Sequence, residues 1–320
     1  MEESKVVGTP YDDVFRTLLN DCSSLIVPVI NEIFGERYSG AEEIVFSKKS
    51  HFLNKQGGRT DERITDTSFA IVGKESKKYH LECQSNADNS MLVRFFEYDT
   101  QIALDEGKIS DHVLTVTFPH SAVLFLRCTA STPNRMKIRM ITPGGNVEYG
   151  IHVIKIQSYT IESIFDKNLL FLIPFYIFTH EHLFTEYVRD KSKLRSLVYE
   201  YLEIRNRLEE LLRQHYISEY VKCTIIEMSD RVLENIAGKY ESVREGVKAV
   251  MGGKVLEYEA KTIRNEGLKE GVEKGIEKGM EKGIEGTVSI LKSMGLMPQE
   301  IMFKIQEQYK LSPEAARKYI

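Results

Sequence analysis

The sequence predicts a mixed α/β (α+β) protein, with a core running to about residue 190 and a helical C-terminal extension. Three observations carry this. Helical and β-rich runs alternate over the first 160 residues, a layered α/β pattern. From Asp190 to about Ala249 the chain is helical in period and highly charged. Beyond that, glycines recur every four residues in a tail unlike the rest.

The first element is a helix. Thr9-Pro10 pairs an N-cap residue with proline at the first helical position, and Phe15, Leu18, Leu19 and Cys22 then recur at helical spacing. Leu25, Ile26, Val29, Ile30 and Ile33 extend the pattern to Phe34-Gly35, with Pro28 expected to kink or split it. Next comes a hairpin, with Ile64–Val72 as one strand, Gly73-Lys74-Glu75-Ser76 as the turn and Tyr79–Gln84 as the second strand. Asn89–Glu106 carries Met91, Phe95, Tyr98 and Ile102 on one side and ends at Gly107, an amphipathic helix. Four β-rich runs follow, His112–Phe118, Ala122–Arg127, Met136–Ile141 and Tyr149–Ser158, with a turn at Thr142-Pro143-Gly144-Gly145-Asn146. In the charged helical region, Leu194, Leu197, Tyr201, Leu208, Leu211 and Leu212 form a stripe suited to a sheet face or a partner helix.

In the tail, Gly267, Gly271, Gly275, Gly279 and Gly283 are each followed by an aliphatic residue or methionine. Glycine costs about 1 kcal/mol per helical position relative to alanine, and Glu-to-Lys pairs return only a few tenths each. Such a stripe suits close approach of two helix backbones, so the expectation is a self-associating helix and a homo-oligomer, or else a semi-flexible linker. Two short helical patterns, Thr287–Met294 and Pro298–Tyr309, and a turn at Ser312-Pro313-Glu314 complete a small helical cap. The expected organisation is 1–190, a 191–250 helical extension, a 251–286 glycine-repeat helix or linker, and a 287–320 cap.

Composition narrows the function. A net charge of −4 argues against nonspecific coating of nucleic acid, yet residues 47–80 hold a local surplus of four positive charges where phosphate could bind. The four cysteines lie far apart with no CxxC, which fits reduced thiols in a cytoplasm rather than zinc or disulfides. The apolar run Leu169–Phe178 is too short to span a bilayer and contains Pro174, so it reads as buried core and no membrane partner is expected. No Ser-His-Asp order, P-loop or HExxH appears.

The candidate site lies in the hairpin. In Leu81-Glu82-Cys83-Gln84 the polar residues are two apart, so Glu82 and Gln84 share one strand face and Leu81 and Cys83 the other. Pairing across the turn brings Asp66 towards Glu82. Two carboxylates with nearby carbonyls suit a hard divalent cation such as Mg²⁺, which activates water and stabilises phosphoryl charge.

These residues carry a resemblance. From Tyr11 to Gly107 the chain resembles the PD-(D/E)XK nuclease family transposases, also called recombination-promoting nuclease (Rpn) family proteins. The matching pieces are Asp13-Val14-Phe15-Arg16, Thr65-Asp66, Leu81-Glu82-Cys83-Gln84, and Arg94 followed four residues on by Tyr98. The glycine-rich tail matches in style. The resemblance implies a restriction-endonuclease-like core, a mixed sheet flanked by helices, hydrolysing DNA phosphodiesters with Mg²⁺ (Mn²⁺ as a substitute) in mobile-element or recombination chemistry. It implies Asp66 and Glu82 as metal ligands with the Cys83 carbonyl as a third, and Asp13 as an additional acid. Gln84 stands where the family name has lysine. A glutamine orients water by hydrogen bonding but brings no positive charge, which Lys78 or Arg94 could supply. Arg94, Tyr98 and Gln101, spaced i, i+4, i+7, form one helical stripe for positioning DNA phosphate. The rival expectation is a nonenzymatic interaction protein on a degenerate nuclease core.

Overall fold

The computed structural model describes residues 10–46, 50–54, 60–64, 67–73, 75–85, 90–252 and 275–320, with backbone alone for 50–54 and 60–64. The chain divides into two compact units, Met1–Ala260 and Lys261–Ile320.

The first unit is a mixed α/β arrangement around a six-stranded sheet. Helices α1 (Pro10–Asp21) and α2 (Ile26–Phe34) come first, and the break between them is a short 3-10 turn, Ser23–Leu25. Pro28 sits in the first turn of α2, where its missing N–H costs nothing, so the split falls before the proline rather than at it. Gly35 closes α2 at φ 67°, a left-handed C-cap that favours glycine.

The strands of the main sheet are β1 (Glu43–Phe46), β4 (Ser68–Val72), β5 (Lys77–Gln84), β8 (His120–Phe125), β9 (Arg135–Thr142) and β10 (Gly145–Lys155). Their order is β1-β4-β5-β8-β10-β9. β5 runs antiparallel to β4 and parallel to β8, and β8 runs parallel to β10. Helix α3 (Ser90–Asp105) makes the β5-to-β8 crossover that a parallel pair requires. Two separate two-stranded ribbons pair β2 (Ser50–Asn54) with β3 (Thr60–Ile64) and β6 (Lys108–Ser110) with β7 (Val113–Thr115).

The ribbons account for two departures from the expected strands. Ile64 ends β3 rather than opening β4, which starts at Ser68. The expected strand His112–Phe118 contracts to Val113–Thr115; it starts late because Asp111 and His112 take left-handed φ values of 50° and 64°. Positive φ at both central residues is the signature of a tight two-residue hairpin turn. The turn between β9 and β10 falls where proline and glycine predicted it, at residues 143 and 144.

Each sheet face buries a different core. On one, Tyr79, Leu81, Cys83, Ala122, Leu124 and Ile154 meet α1, α2 and the later helices. On the other, Met91 and Phe95 of α3 cover Val123, Phe125 and Ile151. Leu170–Thr179 forms a 3-10 segment in which Leu170 through Phe178 are all buried, as expected of a core segment. The helical region comprises α4 (Ile161–Asp166), α5 (Phe184–Arg189), α6 (Lys191–Arg213), α7 (Glu219–Ile236) and α8 (Glu241–Met251). Asp190 caps α6, accepting from the backbone N–H groups of Ser192 and Lys193 at 2.8 and 3.3 Å. The α6 stripe buries Leu197, Tyr201, Ile204 and Leu208 in the same core as α1 and the sheet. It packs chiefly against α5, α7 and α8, so its partners are helices of its own unit.

In the second unit, α9 (residues 275–293) is followed by α10 (Pro298–Tyr309) and α11 (Pro313–Ala316). The expected helix from Thr287 is the end of a longer one that takes in Gly275, Gly279 and Gly283. Packing outweighs the glycine cost here. Ile284 and Val288 are buried against Ile301, Ile305 and Ala316. The Tyr309 hydroxyl also bonds the Gly283 carbonyl at 2.9 Å. Gly267 and Gly271 lie outside the described residues.

Candidate functional site

The site is built on β5. Strand alternation puts Leu81 and Cys83 into the α1-side core and sends Lys78, His80, Glu82 and Gln84 towards the α3 side. The shared face of Glu82 and Gln84 is as the spacing predicts. His80, two residues before Glu82, belongs to the same face and is fully buried, with 0% exposure.

His80 is the hub. Its Nδ1 lies 2.7 Å from Asp99 Oδ1 and its Nε2 lies 3.1 Å from Glu82 Oε1. Asp99, on α3, is also 0% exposed. The Ser121 hydroxyl of β8 lies 2.9 Å from each Asp99 carboxylate oxygen, and the Tyr149 hydroxyl of β10 donates to Oδ2 at 3.2 Å. At the other end, the Thr67 hydroxyl donates to Glu82 Oε1 at 3.2 Å. A polar chain thus crosses the sheet, from Tyr149 and Ser121 through Asp99 and His80 to Glu82 and Thr67. A buried charge persists only when paired and hydrogen-bonded, and here each one is.

The electrostatics follow from that pairing. Burial alone pushes the His80 imidazole down, but the hydrogen bonds and charges of Asp99 and Glu82 outweigh it and raise it to about 9. Burial pushes Glu82 up, yet His80, with help from Arg94 and Thr67, holds its carboxyl below the usual value.

The backbone contributes a second donor. The Leu81 N–H bonds the Thr67 carbonyl at 3.1 Å on the β4 side, and the Gln84 carbonyl accepts from Leu126 N–H at 2.9 Å on the β8 side. Alternation therefore directs the Cys83 carbonyl to the β4 side. The described β4–β5 register ends there at Ser68 opposite His80.

The other expected residues are distributed as follows. Asp66 lies outside the described residues, as does Thr65; Thr67 follows directly in the chain. The side chains of the basic residues from Lys48 to Arg63 fall outside them too. Lys78 is tied to the end of α3, 2.9 Å from Glu106 and 3.4 Å from the Ile102 carbonyl. Arg94 is half-buried, and its charge acts on Glu82. Its buried Nε has no hydrogen-bond partner among the described residues. Tyr98 is half-buried and meets the His80 ring edge-on at 5.9 Å. Gln101 is turned to Asp105, 3.2 Å away, a partner outside the stripe with Arg94 and Tyr98. Asp13 is exposed on α1. Its neighbour Asp12 is half-buried, and its charge joins burial in raising the Cys83 thiol.

Sequence reasoning missed His80, Asp99, Ser121 and Tyr149. Signals existed for two of them. His80 precedes Glu82 at the same two-residue spacing as Gln84. Asp99 occupies position i+4 from Phe95, in the middle of an apolar stripe where a charge is rarely found unpaired. Among the described residues, no three His, Cys, Asp or Glu side chains converge as a metal site. No protein-family model, curated protein or solved structure matches the chain.

Proposed function

We propose that the protein is a metal-dependent DNA endonuclease on a restriction-endonuclease-like core, working at the Glu82 end of β5. The observation that supports this best is an ionised, half-buried Glu82 held on a central strand by a buried His80–Asp99 pair, beside Thr67. The donors suit a hard cation: a Glu82 carboxylate whose pKa is held below its usual value by His80, and a Cys83 carbonyl directed to the side where the described β4 ladder ends. Asp66, Glu82 and the Cys83 carbonyl would hold Mg²⁺ or Mn²⁺, which supplies Lewis-acid polarisation of phosphate and water when bound.

The chain's own groups divide the remaining work. Gln84 orients the attacking water without changing charge. Arg94 takes the place of the missing lysine as the cation that attracts phosphate, since Lys78 is occupied by Glu106. Contacts of this kind are to phosphate, so sequence preference is weak. The test is nicking of supercoiled plasmid with Mg²⁺, Mn²⁺ or EDTA by the parent and by Asp66→Ala and Glu82→Ala. Metal-dependent nicking by the parent, lost by about 10³-fold or more in both variants, is expected on removal of a transition-state interaction worth several kcal/mol. Absence of nicking by a folded parent overturns the reading.

A second reading, a nonenzymatic interaction protein on a degenerate nuclease core, is favoured by the neutral Gln84 together with the engagement of Lys78. Metal binding separates the two. A Mn²⁺-induced rise in Tm that requires both Asp66 and Glu82 favours the nuclease, and its absence favours the interaction protein.

A further inference from the structure

Glu82 is one link in a longer chain of contacts, and the next link was not among the residues the motif points to. We propose that His80 is the positioning residue of this site: it grips Glu82 Oε1 through Nε2, and Asp99 fixes its ring through Nδ1. The inference rests on the nuclease reading for its purpose, but on geometry for its existence.

Three features make His80 a positioning device rather than a filler. Both of its ring nitrogens are engaged, at 2.7 and 3.1 Å, so the imidazole has a single orientation. The ring is also clamped sideways, with the Phe95 ring 5.0 Å and the Tyr98 ring 5.9 Å from its centroid. Asp99 is itself held by Ser121 on β8 and Tyr149 on β10, so its orientation is set by two further strands. The rigidity of the sheet interior is thus transmitted to one carboxylate oxygen. Thr67 approaches the same oxygen, Oε1, so both supports act on one oxygen of the carboxylate. Outer partners of this kind orient carboxylate and histidine groups at metal sites, and their loss typically costs about 10–100-fold in metal affinity or activity. His80 touches neither water nor phosphate in this scheme; it acts through Glu82.

The experiment has two arms on the full chain. In the first, ¹⁵N-histidine NMR reads the ring N–H signals of His80 in the parent, in Glu82→Gln and in Asp99→Asn. Two protected N–H signals are expected in the parent. Glu82→Gln should move mainly the Nε2 signal, and Asp99→Asn mainly the Nδ1 signal. An Nε2 signal that ignores Glu82→Gln overturns the proposal, whatever the activity. In the second arm, His80→Gln and His80→Asn are compared by Mn²⁺ binding, followed by the electron paramagnetic resonance of free Mn²⁺, and by nicking. Glutamine puts an amide near the Nε2 position and keeps the grip on Glu82, whereas asparagine keeps only the bond to Asp99. His80→Asn is expected to raise the half-saturating Mn²⁺ concentration by about 10–100-fold and His80→Gln by only a few-fold. Equal losses in two folded variants reduce His80 to a structural role and overturn the proposal. If the parent neither binds Mn²⁺ nor nicks, the nuclease reading falls, and the NMR arm still decides whether His80 holds Glu82.

Discussion

One strand, β5, separates two chemistries. Tyr79, Leu81 and Cys83 on one face enter an apolar core shared with α1 and the later helices, where Tyr79 is 0% and Leu81 2% exposed. On the other face His80 is equally buried, but it is bonded to Asp99 and Glu82 and flanked by the Phe95 and Tyr98 rings, while Ser121 and Tyr149 hold Asp99. The first face is held by non-directional burial, about 25 cal/mol per Å² of apolar area. The second is held by directional bonds that must all form together, because a buried charge left without its partner is far costlier than a lost methylene. The comparison shows how a sheet can be tolerant on one side and exacting on the other.

Breaking the polar face should have the largest effect. Asp99→Ala leaves the buried imidazole without its closest partner, and denaturant melts should show about 3–5 kcal/mol of destabilisation. A loss below about 1 kcal/mol would remove the argument that the pair is integral to the fold. Breaking the apolar face with Leu81→Ala should cost about 2–5 kcal/mol, from lost burial and the cavity left behind. If the proposed nuclease activity is present in the parent, that variant, once folded, should keep the same metal dependence in plasmid nicking; a shifted metal optimum would mean the two faces are coupled.

The next test is pH. His80 has a folded-state pKa of about 9 against 6.5 for the free imidazole, so the folded state binds the proton more tightly. Its contribution to stability is complete below pH 6.5 and is lost as the pH rises through about 9, an amount on the order of 3 kcal/mol. Melts of the parent between pH 6 and 10 should fall across that window, and Asp99→Asn should flatten the fall. Glu82 works at the other end: its depressed pKa gives stability above pH 4.5 that is lost on acidification. The smallest expected effect is Ser121→Ala, which removes one donor from Asp99 and should cost about 1–3 kcal/mol in a denaturant melt.

The apolar half of this picture could be read from the sequence, and the polar half only in part. The hairpin, the α3 helix, the buried Leu169–Phe178 run and the helical region after Asp190 all rest on periodicity and capping, which are local signals. The alternation around Glu82 placed it and Gln84 on one face. What alternation cannot supply is the partner across the sheet. Asp99 is 19 residues from His80, and Tyr149 is 50 from Asp99; no local pattern joins them. In α3 the apolar stripe through Met91, Phe95 and Ile102 draws attention to Tyr98, while the residue turned fully inward is Asp99. The glycine repeat left two readings open in the sequence, a self-associating helix or a semi-flexible linker. Propensity treats 275–286 as a poor helix, but packing of Ile284 and Val288 settles it as one.

The bond from Tyr149 to Asp99 also bears on the order in which the chain assembles. It closes 50 residues of sequence, and loop-closure entropy must be met before such a contact contributes. Until β10 docks beside β8, Asp99 and His80 have only part of their shell. A collapsed intermediate of β5 and α3 would therefore bury a charged pair prematurely. The polar chain thus penalises partial collapse and favours late, concerted docking of β10, so that Tyr149→Phe should speed unfolding and leave the folding rate almost unchanged.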